Sequence, residues 1–252
     1  MSDRERAEYL VSVIGADEEN EQRYRGIGFE DYLALNPIEA KTAEHKIAVI
    51  TAVGGIVDGY AEAGSIGSLS LLERIRQARD DDAVKAIVLR VDSGGGSKSA
   101  SEVIRQELAH AQAAGLPVVA SMGSVAASGG YWISATADRI FAHQNTITGS
   151  IGIFAIIPTF ENTLNEYGVF GDGVATTPLA GAGSMDRGIQ PIYAGLIQQV
   201  IQSGYDQFLG VVSEGRNMTP EAVNEIAQGR VWTGTKALEI GLVDEIGGLG
   251  AA

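Results

Sequence analysis

Short apolar runs, each broken by glycine or proline and followed by a segment with helical spacing, constrain this chain most. Three such runs are rich in β-branched residues: IAVITAV (47–53), KAIVLRVD (85–92) and PVVASM (117–122). Continuous apolar runs of this length predict strands that are buried on both faces. Helices are predicted between them over 70–79, where Ser70 and Glu73 have the spacing of a capping box, and over 98–114. Strands that alternate with helices predict an α/β fold with a mainly parallel sheet.

Capping residues and spacing predict the remaining elements. A helix over 3–14 would be capped by Asp3 and ended by Gly15. Pro37 would stop a short helix that begins at residue 29. Further helices are predicted over 129–137, 161–168, 189–215 and 219–229 (with Thr219 as N-cap), and further strands over 139–142 and 149–157. The acidic stretch ADEENEQ (16–22) predicts a solvated linker. We therefore expect a helical linker segment over 1–45 and one main domain over 46–252.

Composition excludes several classes of function. Glycine is abundant, 33 of 252 residues, and predicts tight turns and close backbone approaches. The chain has no cysteine, which excludes disulfides, a thiol nucleophile and thiolate metal sites. Its three histidines lie far apart outside any HExxH pattern, so we expect no metal site and no cofactor. A net charge of −14 argues against nucleic acid as a partner.

Nothing in the sequence predicts a membrane span or a leader. No stretch approaches the roughly 18 apolar residues that a spanning helix needs. The opening MSDRERAEY is charged and lacks the apolar centre of a signal peptide. The chain as written is expected to be soluble.

Two glycine-rich turns each follow a predicted strand and open a predicted helix: VDSGGGSKSASEVI (91–104) and SMGSVAASGGYWIS (121–134). Backbone N–H groups at such turns favour an anion or a developing oxyanion. Neither turn matches the Walker A pattern, and GGGS does not fit GxGxxG. The alternative is that both are only tight strand-to-helix connections.

Ser128 is the candidate nucleophile in the second turn. Its small neighbours would let a substrate carbonyl reach the hydroxyl, and the N–H of Gly129 would lie beside the oxyanion. This follows the logic of a nucleophile elbow without matching GxSxG. The alternative is a serine that merely caps the next helix.

A nucleophilic serine also needs a base, and none is evident nearby. His143 is the nearest histidine in sequence and is predicted to be a surface residue at a strand end. A lysine would serve only if its pKa fell from about 10.4 towards 7–8. Lys98 lies in the first turn of a helix, where a solvent-facing side chain is expected, so we predict that it is not the base. The sequence places none of the lysines opposite Ser128: Lys41, Lys46, Lys85, Lys98 and Lys236.

Several blocks resemble the signal peptide peptidase A (protease IV) family, over about residues 5–248. They are VLRVDSGGGSKSASEVIRQELAHAQAAGLPVVASMGSVAASGGYWISATADRIFAHQNTITGSIGIF (88–154), DGVATTPLA (172–180), TPEAVNEIAQGRVWTG (219–234) and ALEIGLVDEIG (237–247). The resemblance implies a Clp protease/crotonase-like fold of repeated β-β-α units over 46–252. It also implies cleavage of peptides by a Ser/Lys dyad, with Ser128 as nucleophile. Gly129 would supply one oxyanion N–H, and Gly95 or Gly96 the other.

The long form of this family has two homologous halves, with the lysine in the first and the serine in the second. This chain resembles the second half, preceded by the stretch that joins the halves, and we expect no counterpart of the family's membrane anchor within these residues. It departs from the family at Gly94, where SPGGS carries a proline, and at Thr176 and Thr177, where single-half relatives carry the lysine. We therefore expect the lysine to come from another half or subunit.

The resemblance also implies partners and a location. We expect peptide substrates, a homo-oligomer or an assembly with a lysine-bearing half, and association with the periplasmic side of the bacterial inner membrane. The ending GGLGAA suggests truncation. Two alternatives remain: a non-catalytic assembly or peptide-binding module, and a crotonase-type acyl-CoA enzyme, which the ASGGYW and TGSIG blocks disfavour.

Overall fold

The computed structural model describes residues 2–37 and 43–252, which fall into two compact units, Met1–Glu44 and His45–Ala252. The first unit contains helices α1 (Asp3–Ile14) and α2 (Phe29–Leu35). Ser2, not Asp3, caps α1: its hydroxyl accepts the Glu5 N–H, and the Glu5 carboxylate accepts the Ser2 N–H. This reciprocal pair satisfies two orphan donors at once, which a lone Asp3 would not do.

The second unit contains the remaining elements. Its strands are β1 (Lys46–Val53), β2 (Gly55–Val57), β3 (Ser65–Gly67), β4 (Val84–Ser93), β5 (Val118–Ala127), β6 (Arg139–Ala142), β7 (Ile147–Gly149), β8 (Val231–Thr233) and β9 (Glu245–Ile246). Its helices are α3 (Ser68–Asp80), α4 (Lys98–Ala113), α5 (Gly129–Trp132), α6 (Glu161–Glu166), α7 (Pro191–Arg216), α8 (Pro220–Ile226) and α9 (Gly234–Glu239). None of the helices in the described ranges is long and apolar enough to cross a bilayer.

The main sheet is parallel along the order β1-β4-β5-β6-β9, as the alternation of strands and helices predicts. Strand β5 changes partner along its length. Its first part, Val119–Ser121, pairs with β6, and its last part, Val125–Ala127, pairs with β7. Strand β7 also pairs antiparallel with β8, and β2 pairs with β3 in a small second sheet. The bend in β5 brings its end, and the turn that follows, to the junction of both sets of strands.

The core lies where α3 and α4 pack on the sheet. Ile75 and Ile104 on these helices and Ile87 and Leu89 on β4 are fully buried. The two helices are also joined by Glu107, which is buried and forms ion pairs with two arginines of α3. Helical spacing predicts these apolar faces correctly.

The structure corrects four of the predicted elements. Strand β1 is buried on one face only: Ile47, Val49 and Val53, which alternate with buried or half-buried residues, are 63%, 52% and 49% exposed. Strand β5 runs beyond 117–122 to Ala127, because the Asp92 carboxylate accepts the Val125 N–H across the bend.

The other two corrections concern segments after the bend. The helix predicted over 129–137 is only the short α5. The strand predicted over 149–157 ends at Gly149, because Ser150 takes a left-handed conformation with φ 49° that breaks the extended chain.

The capping box predicted at Ser70 is also absent. Helix α3 begins two residues earlier, with Gly67 as N-cap, and the Ser70 hydroxyl accepts the Ala61 N–H instead. Glu73 accepts a hydrogen bond from the Tyr60 hydroxyl. The predicted cap Thr219 is confirmed, since its hydroxyl accepts the Ala222 N–H at the start of α8.

Helix α7 ends in close contact with the chain after α5, and two glycines test this contact. A Cβ on Gly215 would overlap the carbonyl oxygen of Ala135, whereas a Cβ on the exposed Gly210 would meet no atom within 4 Å. We expect Gly215→Ala to lower the free energy of unfolding by about 1–3 kcal/mol through overpacking. Gly210→Ala should raise it by about 0.5–1 kcal/mol through helix propensity. Urea unfolding measures both, and a gain in both variants would contradict the contact.

Candidate active site

Ser128 stands at the elbow between β5 and α5. Its backbone has φ 52° and ψ −118°, a conformation that a residue with a side chain rarely adopts. Two backbone hydrogen bonds hold it there: its N–H donates to the Gly149 carbonyl at 2.9 Å, and its carbonyl accepts the Trp132 N–H at 2.9 Å. Such strain persists only where the surroundings impose it, and it is concentrated at functional sites.

The hydroxyl of Ser128 is not used as a helix cap. Ser128 occupies the N-cap position of α5, but its side chain makes no capping hydrogen bond. The helix-cap alternative is therefore wrong. Ser128 is half-buried and lines an open cavity of about 940 Å³. Its hydroxyl is accessible from that cavity.

The glycine loop after β4 lies directly against this elbow. A Cβ on Gly95, which has φ 102°, would lie 2.6 Å from the Gly129 nitrogen and 2.8 Å from the Ser128 Cβ. A Cβ on Gly129 would in turn lie 3.1 Å from the Gly96 nitrogen. Only glycine permits this approach, as the abundance of glycine in the two turns predicts.

Hydrogen bonds fix the loop and leave two donors free. The Gly95 N–H donates to the hydroxyl of Ser93, which itself donates to the Gly54 carbonyl. Among the described residues, the backbone N–H groups of Gly96 and Gly129 have no acceptor. The two segments that meet at Ser128 therefore each carry a backbone N–H without an acceptor.

The far wall of the cavity comes from parts of the chain that sequence reasoning missed. It is formed by residues after β7, on α7 and after α8: Ser150, Gly152, Ile153, Phe154, Ile201, Gln202, Tyr205, Gln228 and Gly229. The Tyr205 hydroxyl donates to Asn224 at 2.6 Å and accepts the Gln228 N–H at 3.2 Å, which ties the segment after α8 to α7. No local pattern in the sequence indicates these contacts.

None of the lysines in the described ranges is bonded to Ser128. Lys98 donates to the Gln207 side chain at 3.0 Å. The partners of the other three lie on the surface: Lys46 with Asp81, Lys85 with the Asp82 carbonyl, and Lys236 with Glu239. Lys41 lies outside the described residues. His143 is exposed at the end of β6, as predicted.

The carboxylate of Glu102 on α4 lies close to α5 and accepts four hydrogen bonds. It accepts the Trp132 indole N–H at 2.8 Å, two N–H groups of Arg105 at 2.8 and 2.7 Å, and one of Gln106 at 2.8 Å. Burial alone would raise the pKa of Glu102, but these hydrogen bonds outweigh it and lower the pKa to about 2. Glu102 is therefore ionised at neutral and alkaline pH.

No group of acidic or histidine side chains in the described ranges is arranged to hold a metal ion. What the site brings together is a free hydroxyl, two free N–H groups and an open cavity.

Comparison with known proteins identifies the family of the chain. Residues 110–252 match Peptidase family S49. The chain is 48% identical to Protease 4 of Haemophilus influenzae over 228 residues, covering 90% of this chain and 37% of that protein. It is 51% identical to Protease 4 of Salmonella typhi over 227 residues, covering 90% and 36%.

A third relative is shorter. The chain is 34% identical to a putative signal peptide peptidase SppA of Enterococcus faecium over 249 residues, covering 94% of this chain and 72% of that protein. The chain thus spans little more than a third of the two Protease 4 relatives. It belongs to peptidase family S49, whose members have a Clp protease/crotonase-like fold.

Proposed function

We propose that this chain is the serine-bearing part of a serine endopeptidase and that Ser128 is its nucleophile. The observation that carries the proposal is the strained elbow, which presents an unbonded hydroxyl to an open cavity beside two unbonded N–H groups. The names of the relatives, Protease 4 and signal peptide peptidase SppA, support peptides, including cleaved signal peptides, as substrates.

The reaction follows from these groups. The Ser128 Oγ forms a bond to the scissile carbonyl carbon while a base takes the hydroxyl proton. The carbonyl electron pair moves to oxygen, and the N–H groups of Gly129 and Gly96 stabilise the oxyanion. We assign Gly96 rather than Gly95, because the Gly95 N–H already donates to Ser93. The C–N bond then breaks, the amine leaves with the proton, and water releases the acyl group.

The base is proposed to be a lysine from another half or subunit. Each lysine of the described ranges has another partner, and the chain spans only part of its long relatives. We also propose, on the family resemblance, that this assembly is associated with the periplasmic side of the bacterial inner membrane.

The second candidate function is a non-catalytic, peptide-binding module of a larger assembly. One observation favours it: no base is bonded to Ser128 among the residues described. Reactivity of the hydroxyl distinguishes the two functions.

We expect slow, Ser128-dependent labelling of the chain by a fluorophosphonate at alkaline pH. The Oγ–P bond forms, the P–F bond breaks, fluoride leaves, and the hydroxyl proton passes to hydroxide. Loss of a general base costs about 10²–10⁴-fold, so the isolated chain should be nearly inactive on peptides. Intact-mass spectrometry measures labelling of the wild type, Ser128→Ala and Lys98→Ala, and of the chain mixed with a lysine-bearing first half.

Labelling should vanish in Ser128→Ala, persist in Lys98→Ala and accelerate with the added half. Equal labelling of the wild type and Ser128→Ala would contradict the assignment of Ser128 as the nucleophile. Full peptidase activity of the chain alone would contradict the proposal that the base comes from another half or subunit.

Gly95→Ala should abolish labelling without unfolding the chain, because its Cβ would lie 2.6 Å from the Gly129 nitrogen and block that donor. Loss of one oxyanion donor costs about 10²–10³-fold. Gly94→Ala is the matched control, since a Cβ there meets no atom within 4 Å. Circular dichroism checks folding, and a Gly95→Ala variant that labels as fast as Gly94→Ala would contradict the assignment.

We also expect the chain to self-associate. The edge strand β1 exposes Ile47 and Val49, and Phe154 at the cavity rim is 80% exposed. Open strand edges and apolar patches of this kind are sites of association. Sedimentation velocity at micromolar concentration measures the state, and a single monomeric species would argue against assembly.

A further inference from the structure

Helix α5, which carries Gly129, is too short to hold its own position. It has four residues, and a single turn of helix is not stable by itself. Trp132 at its end is 1% exposed and supplies two anchors. Its indole N–H donates to Glu102 at 2.8 Å, and its ring centre lies 4.5 Å from that of Phe208 on α7.

Glu102 belongs to the helix that follows the other oxyanion donor. Helix α4 begins after its N-cap Ser97, which directly follows Gly96 and whose hydroxyl accepts the Ala100 N–H. Glu102 lies on the second turn of the same helix. A regular helix is stiff over this distance, so the Glu102 carboxylate has a fixed place relative to Gly96.

The contact between Glu102 and Trp132 therefore joins the two segments that carry the donors. Arg105 and Gln106 hold the carboxylate in place from the other side, and its ionised state makes the bond to the indole charge-assisted. Oxyanion donors act only at a fixed distance from the oxygen that they stabilise, so their separation matters for rate.

We infer that Glu102 is a positioning residue: by accepting the hydrogen bond of the Trp132 indole, it sets the distance between the Gly96 and Gly129 N–H groups. This inference rests on the proposed function, because it assigns to Glu102 a role in the reaction of Ser128. It acts on the rate of attack and leaves substrate affinity unchanged, since Glu102 lies outside the lining of the cavity.

The chain offers a matched control on the same helix. Glu107 is also buried and ion-paired, but its partners are Arg76 and Arg79 of α3. Replacing Glu107 disturbs the packing of α4 without touching α5. It separates a loss of stability from a loss of positioning.

The test is the rate of fluorophosphonate labelling of the full chain as a function of probe concentration, which separates the bonding step from initial binding. Trp132→Phe keeps an aromatic ring but removes the donor, and Glu102→Ala removes the acceptor. Each should slow the bonding step about 10-fold or more with unchanged initial binding, as small misplacements of reacting groups do. The double variant should be no slower than either single variant, because both remove one contact.

Glu102→Gln is the conservative variant. It keeps an acceptor for the Trp132 indole N–H, and it serves as the second test if Glu102→Ala fails to fold. Its amide oxygen still accepts the indole N–H, but its NH2 group cannot accept from Arg105, so labelling should be faster than in Glu102→Ala and slower than in the wild type. Glu107→Gln should lower the unfolding midpoint and leave the labelling rate unchanged.

The outcomes separate the two ideas. A folded Trp132→Phe variant that labels at the wild-type rate overturns the positioning role, as does equal slowing in Glu107→Gln. Wild-type labelling that is no faster than that of Ser128→Ala overturns the proposed function, and the inference falls with it.

Discussion

The close approach between the Gly95–Gly96 loop and Gly129 is the contact on which the geometry around Ser128 depends. A side chain at Gly95 or Gly129 would force the two segments apart, because each added Cβ would collide with backbone or with a buried hydroxyl. The left-handed conformation of Ser128 costs of order 1–3 kcal/mol, and it persists only because its neighbours fix it on both sides. The strain and the close approach belong to one arrangement, in which the loop after β4 packs against the elbow at Ser128.

The bend of β5 makes that approach possible. The strand leaves β6 and joins β7, and the Asp92 carboxylate and the Thr148 hydroxyl stabilise the change of partner by bonding to Val125 and Ala126. Because β5 then ends against β7, Ser128 can donate its N–H to Gly149. The position of the candidate nucleophile is therefore a property of the sheet as much as of the turn.

Features that depend on neighbouring residues could be predicted from the sequence, whereas features that depend on contacts between remote segments could not. Helix α4, strand β4 and the cap at Thr219 were predictable, because spacing and capping are local. The exposure of one face of β1 was not, because it depends on which remote elements pack on that face of the sheet. The same holds at the site: Ser128 and the glycine loop could be found from small residues after a strand, whereas Tyr205 and Gln228 come from remote segments.

The openness of the cavity beside Ser128 limits how a lysine could act as the base. A lysine acts as a base near neutral pH only if burial lowers its pKa by about 3 units, which requires apolar surroundings. The cavity beside Ser128 is open, and Phe154 at its rim is largely exposed, so a lysine placed there would remain in contact with water. A partner that brings the lysine must also cover this rim. The partner would then supply both the lysine and the apolar surroundings that lower its pKa, and attack by Ser128 would depend on assembly.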